Sequence, residues 1–203
     1  MARRLLPAAM ATVVVLAACD SRAANDNPAD STDPRNQPGY IVDSIHPPEV
    51  ALARFRERLA RPAMLDGARS RDELLNRFMV AVRDTNRASL MALTINRAEF
   101  AYLIFPESRL YAAPYRHPPE IAWMMLRTGT SNGLRRLMAR AAGGLEPLSY
   151  RCPAPAEVEG ALRVTSKCVV RIREGGAERE VQLFGRIVER DGRWKFIALD
   201  GDL

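Results

Sequence analysis

Residues 162–199 read LRVTSKCVVRIREGGAEREVQLFGRIVERDGRWKFIAL. Apolar and polar side chains alternate along much of this stretch, which is the period of a half-buried β-strand. Gly175-Gly176 and Asp191-Gly192 interrupt the alternation with residue pairs that two-residue hairpin turns prefer. The stretch therefore predicts a three-stranded antiparallel meander at the end of the chain.

The two turns also predict the registers of the meander. The expected pairs on the apolar face are Val170 with Val181, Cys168 with Leu183, Val164 with Ile187 and Ile187 with Phe196. The expected pairs on the other face are Arg171 with Glu180 and Arg173 with Glu178, which are favourable cross-strand ion pairs. Apolar pairing on one face and charge pairing on the other select the same register, as they should where one face is buried.

The hundred residues that follow Tyr40 have mainly helical periodicity, and the period changes to two from Leu145 onward. A capping box at Ser70–Glu73 and a second cap at Asn96–Glu99 mark helix starts. Gly129 and Gly133 are expected to break or bend the helix that follows Pro118-Pro119. Helices first and a meander last predict an α+β domain, with the N-terminal helices packed on one face of a curved C-terminal antiparallel sheet.

This order of elements, with the ending RIVERDGRWKFIALDGDL, resembles that of the NTF2-like (SnoaL-like) family over residues 68–203. The resemblance implies a cystatin-like cone, in which the sheet wraps around helices and encloses a pocket. In that family the pocket serves catalysis, ligand binding or dimerisation. The Pro-rich stretch at residues 106–119 departs from the family pattern.

The first nineteen residues predict export and lipidation. Arg3 and Arg4 precede an apolar run, residues 5–16, which is too short to span a bilayer as a helix. Leu16-Ala17-Ala18-Cys19 resembles the lipobox of bacterial lipoproteins, which implies cleavage before Cys19 and acylation (palmitate and related chains) of Cys19. Several acyl chains on one residue anchor a protein stably. The alternative is an ordinary secreted protein whose cysteine is incidental or pairs in a disulfide.

These features divide the chain into three segments. They are a lipoprotein signal peptide at 1–18, a disordered tether at 19–39 and a single α+β domain at 40–203. Residues 20–39 contain no large apolar side chain and three prolines, so they are not expected to join a core. Asp20 resembles the inner-membrane retention signal of enteric lipoproteins. We therefore expect a protein anchored in the cell envelope and facing the periplasm, with the inner membrane favoured and the outer membrane open.

The charge of the chain does not indicate a nucleic-acid partner. The formal net charge is +6, and removal of residues 1–18 would take away Arg3 and Arg4. The remaining arginines are interleaved with acidic residues along the chain, without a basic block. The expected partners are the membrane, through the N-terminal lipid, and a second copy of the chain or another envelope protein.

Cys152 and Cys168 are expected to form a structural disulfide, because an isolated pair of cysteines in an oxidising compartment usually does so. Metal ligation and redox catalysis are the alternatives. His46 and His117 lie far from both cysteines in sequence, and no C-x-x-C motif is present. Neither a metal nor another cofactor is expected.

The sequence carries no nucleophile elbow, phosphate-binding loop, dinucleotide fingerprint, zinc-protease motif or calcium loop. Acid–base chemistry would depend on carboxylates such as Glu99, Glu107, Glu120 and Asp200. A possible pocket comprises Phe100, Tyr102, Trp123 and Asp200. The alternatives are that the aromatic side chains belong to the core and that Asp200 lies in a frayed C-terminus.

Four apolar side chains fall on the second face of the predicted sheet and would be exposed there. They are Phe184, Val188, Ile197 and Leu199. A partly apolar exposed sheet face often marks an association surface, so they form a possible interface.

The sequence leaves three functions open. The first is a membrane-anchored lipoprotein whose domain is a non-enzymatic binding or envelope-assembly module. The second is a small-pocket NTF2-like enzyme of hydrolase or isomerase type, and the third is a carrier of an apolar small molecule.

Overall fold

The structure is a computed structural model that describes residues 46–114, 116–153 and 155–201. Helices occupy the first part of this range and strands the second, so the domain is α+β as predicted. The predicted signal peptide, Cys19, Asp20 and the tether lie outside the described residues. None of the described helices is long and apolar enough to span a membrane.

Within the described residues, five α-helices precede the strands. They are α1 (Pro48–Arg56), α2 (Arg71–Arg83), α3 (Arg87–Ala92), α4 (Arg97–Glu99) and α5 (Pro119–Ala142). The short α4 continues into a π-helical turn at Phe100–Ile104 and a 3-10 turn at Phe105–Glu107. The capping box of Asn96 and Glu99 is complete. At α2 the Ser70 side chain accepts from the amide of Glu73, but the Glu73 carboxylate accepts from the amide of Arg69.

The predicted break of the helix at Gly129 or Gly133 does not occur, because α5 continues through both. A Cβ atom added at Gly133 would lie 1.5 Å from the carbonyl oxygen of Leu199, and one at Gly129 would lie 3.4 Å from Cβ of Asp200. The helix and the C-terminal segment therefore cross at backbone contact distance. Glycine fits at position 133 because a side chain there would overlap the backbone of Leu199, and not because the helix must be flexible at this point.

In the part of the chain that the structure describes, seven strands form two antiparallel sheets. The strands are β1 (Glu146–Arg151), β2 (Glu157–Glu159), β3 (Leu162–Thr165), β4 (Val169–Glu174), β5 (Ala177–Val181), β6 (Ile187–Arg190) and β7 (Arg193–Phe196). Their orders are β1-β4-β5 and β2-β3-β6-β7. The prediction of one continuous three-stranded meander is therefore wrong, although both predicted hairpins form.

The registers within the two hairpins are as predicted. The observed pairs are Val170 with Val181, Arg171 with Glu180, Arg173 with Glu178 and Ile187 with Phe196. The two longer-range pairs are wrong: Val164 pairs with Val188, and Cys168 and Leu183 lie outside the paired segments of β4 and β5.

The meander divides between β3 and β4, where Lys167 adopts a left-handed backbone conformation, with φ of 59°. Such a residue does not continue an extended strand. The predicted disulfide is present beside this turn, with the sulfur atoms of Cys152 and Cys168 2.06 Å apart.

The core comprises two clusters, and the predicted interface residues belong to them. Phe184 and Leu199 lie in the cluster that includes Phe78 of α2. Val188 and Ile197 lie in the cluster that includes Phe100. All four are buried, so the prediction that they form an exposed face is wrong. Side chains alternate between the two faces of a strand, and here both faces are covered.

The outer edge of β7 is occupied by loops from the helical part of the chain. The amide of Ala68 donates to the carbonyl of Trp194 at 3.0 Å, and the reverse bond measures 2.9 Å. The amide of Ile95 donates to the carbonyl of Phe196 at 3.0 Å. These bonds satisfy backbone groups that an edge strand would otherwise expose.

Glu174, at the end of β4, should make the stability of the domain depend on pH. Hydrogen bonds from two arginines lower the pKa of Glu174 from 4.5 to about 2, and Arg140 contributes more than Arg179. Arg140 Nε and Nη2 donate to the two carboxylate oxygens at 2.9 and 2.8 Å. Because the pKa is lower in the folded state, the stabilisation is present above pH 4.5 and is lost as the pH falls through about 2.

We therefore expect Glu174→Gln to lower the free energy of unfolding by about 1 kcal/mol at pH 7 and to have little effect near pH 2, as measured by urea denaturation. Glu57→Gln is the matched control, since Glu57 has no ion-pair partner among the described residues. An equal effect of Glu174→Gln at both pH values would contradict the expectation.

Candidate binding groove

Two adjoining cavities of about 490 and 340 Å³ lie along one side of α5. The two cavities share four lining residues and therefore form one surface depression. The shared residues are Arg97, Trp123, Arg127 and Ser131. We call this depression the α5 groove. Its combined size falls within the range of small-molecule sites in proteins.

The spacing of α5 places three of these four residues on one face. Each follows the one before it by four positions, so Trp123, Arg127 and Ser131 lie one above the other along the helix. Arg97 comes from the first turn of α4, whose start is set by the Asn96 cap. Its guanidinium carbon lies 4.6 Å from the centroid of the Phe55 ring, a cation–π contact with a lining residue of the larger cavity.

Arginines predominate among the charged residues of the α5 groove. Arg87 lines the smaller cavity together with Arg97 and Arg127, whereas Glu120 is the acidic lining residue. Among the described residues, no carboxylate oxygen lies within 4.0 Å of a guanidinium nitrogen of these three arginines. The charged lining residues of the groove are therefore three arginines and one glutamate, with a positive formal sum.

The smaller cavity is also apolar. Ile95 and Ile197 are buried, Leu126 is half-buried, and the Met91 side chain is exposed at the rim. Met124 is exposed in the larger cavity, next to Trp123. Methionine side chains are flexible and polarisable, so they adapt to apolar ligands of different shapes. The groove thus combines unpaired cations with an apolar floor.

No family model, curated protein or solved structure matches this chain.

The four residues of the predicted pocket do not line one cavity. Phe100 is buried in the core and its ring lies 5.2 Å from that of Trp123, which borders the α5 groove. The hydroxyl of Tyr102 donates to the carbonyl of Leu59 at 3.3 Å. Asp200 is exposed in a further cavity of about 220 Å³, which shares Leu126 and Ile197 with the smaller cavity of the groove. Of the predicted set, the structure brings together Phe100 and Trp123.

Glu99 has structural partners on both carboxylate oxygens. The amide of Asp66 donates to Oε1 at 2.7 Å, and the amide of Asn96 donates to Oε2 at 2.8 Å. Nζ of Lys195 donates to Oε2 at 3.0 Å. The Glu99 and Lys195 side chains are 1% and 4% exposed. Glu99 is therefore part of a buried ion pair and is not accessible to a substrate.

The other sequence candidates are dispersed. Oε2 of Glu107 accepts from the amide of Ala161 at 3.2 Å in the turn between β2 and β3. The His46 ring lies 2.5 Å from the Arg54 guanidinium. His117 lies in the loop before α5. Within residues 46–114, 116–153 and 155–201, no group of three or more His, Cys, Asp or Glu side chains could hold a metal ion.

Sequence reasoning missed Arg97, Arg127 and Arg87 because arginines occur throughout the chain. Arg97 and Arg127 are thirty positions apart, and neither belongs to a motif. The helical spacing of Trp123, Arg127 and Ser131 was the available signal for one wall of the groove. The opposite wall depends on how α4 packs beside α5.

Proposed function

We propose that the protein is a bacterial lipoprotein, anchored in the cell envelope through Cys19 and facing the periplasm. Its α+β domain acts as a non-enzymatic binding or envelope-assembly module. The observation that carries the binding role is the α5 groove, in which Arg97 and Arg127 surround an apolar surface without carboxylate partners among the described residues. The lipobox-like residues 16–19 support the anchor.

Two features support binding over catalysis. Glu99, which could have served as a base, is occupied by two amides and Lys195. Tyr102 of the predicted pocket is half-buried, and its hydroxyl donates to the carbonyl of Leu59 at 3.3 Å. A catalytic carboxylate must instead be able to reach the reacting atoms of a substrate.

The domain is proposed to be a divergent NTF2-like cone. The order of helices followed by antiparallel hairpins supports this assignment, as does the packing of Phe78 in α2 against Phe196 in β7, with ring centroids 5.3 Å apart. The division of the strands into two sheets differs from the single wrapped sheet that the resemblance implied.

Replacement of Cys19 tests the anchor. In cells fed an alkyne-labelled palmitate, we expect the wild-type chain to be labelled and to sediment with membranes, and Cys19→Ala to lose both properties, because acylation requires the Cys19 sulfur. The double variant Cys152→Ala/Cys168→Ala is the matched control and should keep the label. A wild-type chain that is unlabelled and soluble would be an ordinary secreted protein.

A small-pocket enzyme is the second candidate function. The observation in its favour is Asp200, whose exposed side chain shares a cavity of about 220 Å³ with Gln182 and Arg186. If the domain is a hydrolase or isomerase, Asp200→Asn should abolish turnover of a hydrolysable ester library while leaving ligand binding in the α5 groove unchanged.

A further inference from the structure

We propose that the α5 groove binds an anionic amphiphile, a molecule with one phosphate or carboxylate group and one apolar chain. Arg97 and Arg127 hold the oxyanion, and the chain lies in the smaller cavity. This inference rests on the proposed binding role of the groove and names its ligand class.

The charge of the groove indicates the anionic part of the ligand. Arginines elsewhere on the domain differ in their pairing: Arg151 Nη2 lies 2.5 Å from Glu180, whereas many others have no carboxylate partner among the described residues. Arg97 and Arg127 line both cavities and have no such partner among the described residues. Guanidinium groups bind carboxylate and phosphate through paired hydrogen bonds. Ser131 also lines both cavities, and its hydroxyl can add a donor.

The floor of the smaller cavity indicates the apolar part. Ile95 and Ile197 are 4% and 7% exposed, and the side chains of Met91 and Leu126 stand beside them. A compact inorganic anion bound to the arginines would leave the accessible apolar surface, which belongs mainly to Met91 and Leu126, in contact with water. A chain that covers it gains the free energy of removing apolar surface from water.

The shape of the groove favours a single amphiphile over the surface of a bilayer. A flat surface could contact exposed α5 side chains such as Met124 and Met125, but it could not reach the floor at Ile95 and Ile197. An acidic peptide would satisfy Arg97 and Arg127 without filling the apolar cavity. A molecule that has both an anionic group and an apolar chain best matches a groove with an apolar floor and arginines that lack carboxylate partners.

The chain contains two tryptophans, so Trp194→Phe leaves Trp123 as its single fluorophore. Protein produced from the full chain is used in buffer if it is soluble, or in phosphatidylcholine nanodiscs if it is extracted from membranes. Octyl phosphate is titrated while Trp123 fluorescence is followed. Inorganic phosphate tests the anionic group alone, octanol tests the apolar chain alone, and vesicles containing phosphatidylglycerol test a bilayer.

We expect saturable binding of octyl phosphate, and a dissociation constant about tenfold higher for Arg97→Gln and for Arg127→Gln, because each removes a charge-assisted hydrogen bond. Arg163→Gln is the matched control: it removes one exposed arginine from β3, outside both cavities, and should leave the constant unchanged. Circular dichroism of each variant checks that the fold is retained.

Three results would overturn the ligand class while preserving a binding groove. They are equal affinity for inorganic phosphate, equal affinity for octanol, and binding to phosphatidylglycerol vesicles alone. Equal binding by the wild type, Arg97→Gln and Arg127→Gln would overturn the assignment of the anion site. No response of Trp123 to any probe would overturn the binding role itself, and the labelling of Cys19 would still report on the anchor.

Discussion

Gly133→Ala should lower the free energy of unfolding by about 3 kcal/mol, as measured by urea denaturation. The added Cβ would lie 1.5 Å from the carbonyl oxygen of Leu199. That oxygen is a backbone atom, so relief requires α5 or the C-terminal segment to move as a whole. Such movement would also disturb the bond at 3.4 Å between the amide of Leu199 and Oγ1 of Thr130.

Gly129→Ala is the matched control, four residues earlier on the same helix. Its Cβ would lie 3.4 Å from Cβ of Asp200, which is an ordinary van der Waals contact. Alanine favours a helix interior over glycine by up to about 1 kcal/mol, so Gly129→Ala should be neutral or stabilising. If Gly133→Ala were as stable as the wild type, the close crossing of α5 and Leu199 would be wrong.

Lys195→Met should destabilise the domain by about 3 to 5 kcal/mol, because it leaves the buried Glu99 carboxylate without its cation. Nζ of Lys195 and Oε2 of Glu99 are 3.0 Å apart, and both side chains are almost inaccessible to solvent. Methionine retains most of the volume of lysine, so the loss reports charge and not packing. Urea denaturation at pH 7 measures the effect.

The double variant Glu99→Gln/Lys195→Met separates the ion pair from the cap. It removes both charges, so it should be more stable than Lys195→Met alone, even though glutamine has a single acceptor oxygen and can accept from only one of the amides of Asp66 and Asn96. Lys167→Met is the control, since Lys167 is the other lysine of the chain and is exposed. A Lys195→Met variant no less stable than Lys167→Met would contradict a buried ion pair.

Part of the fold could be predicted because it depends on interactions within a few residues. Gly175-Gly176 and Asp191-Gly192 form the predicted hairpins, with glycine φ values of 58°, 82° and 73° that β-carbons disfavour. The Asn96–Glu99 capping box is likewise a contact across three positions. For such elements, local geometry and side-chain alternation suffice.

The longer-range features could not be predicted in this way. Alternation shows that Val188 and Ile197 share a face, but it does not reveal that a second layer covers that face. Gly133 suggested a helix break because the sequence does not reveal that the segment at Leu199 crosses the helix at this position. The Arg97–Arg127 pair depends on packing between α4 and α5, for which neither residue carries a signal.

The α+β order, the two hairpins and the Cys152–Cys168 pairing could be inferred from the residues alone, because turn geometry, alternation and the small number of cysteines restrict these choices strongly. The division into two sheets, the burial of both faces of β6 and β7, the Glu99–Lys195 ion pair and the α5 groove became visible only in the folded chain. Each of these joins residues far apart in sequence, and their packing follows from the fit of whole surfaces rather than from the preferences of any one segment.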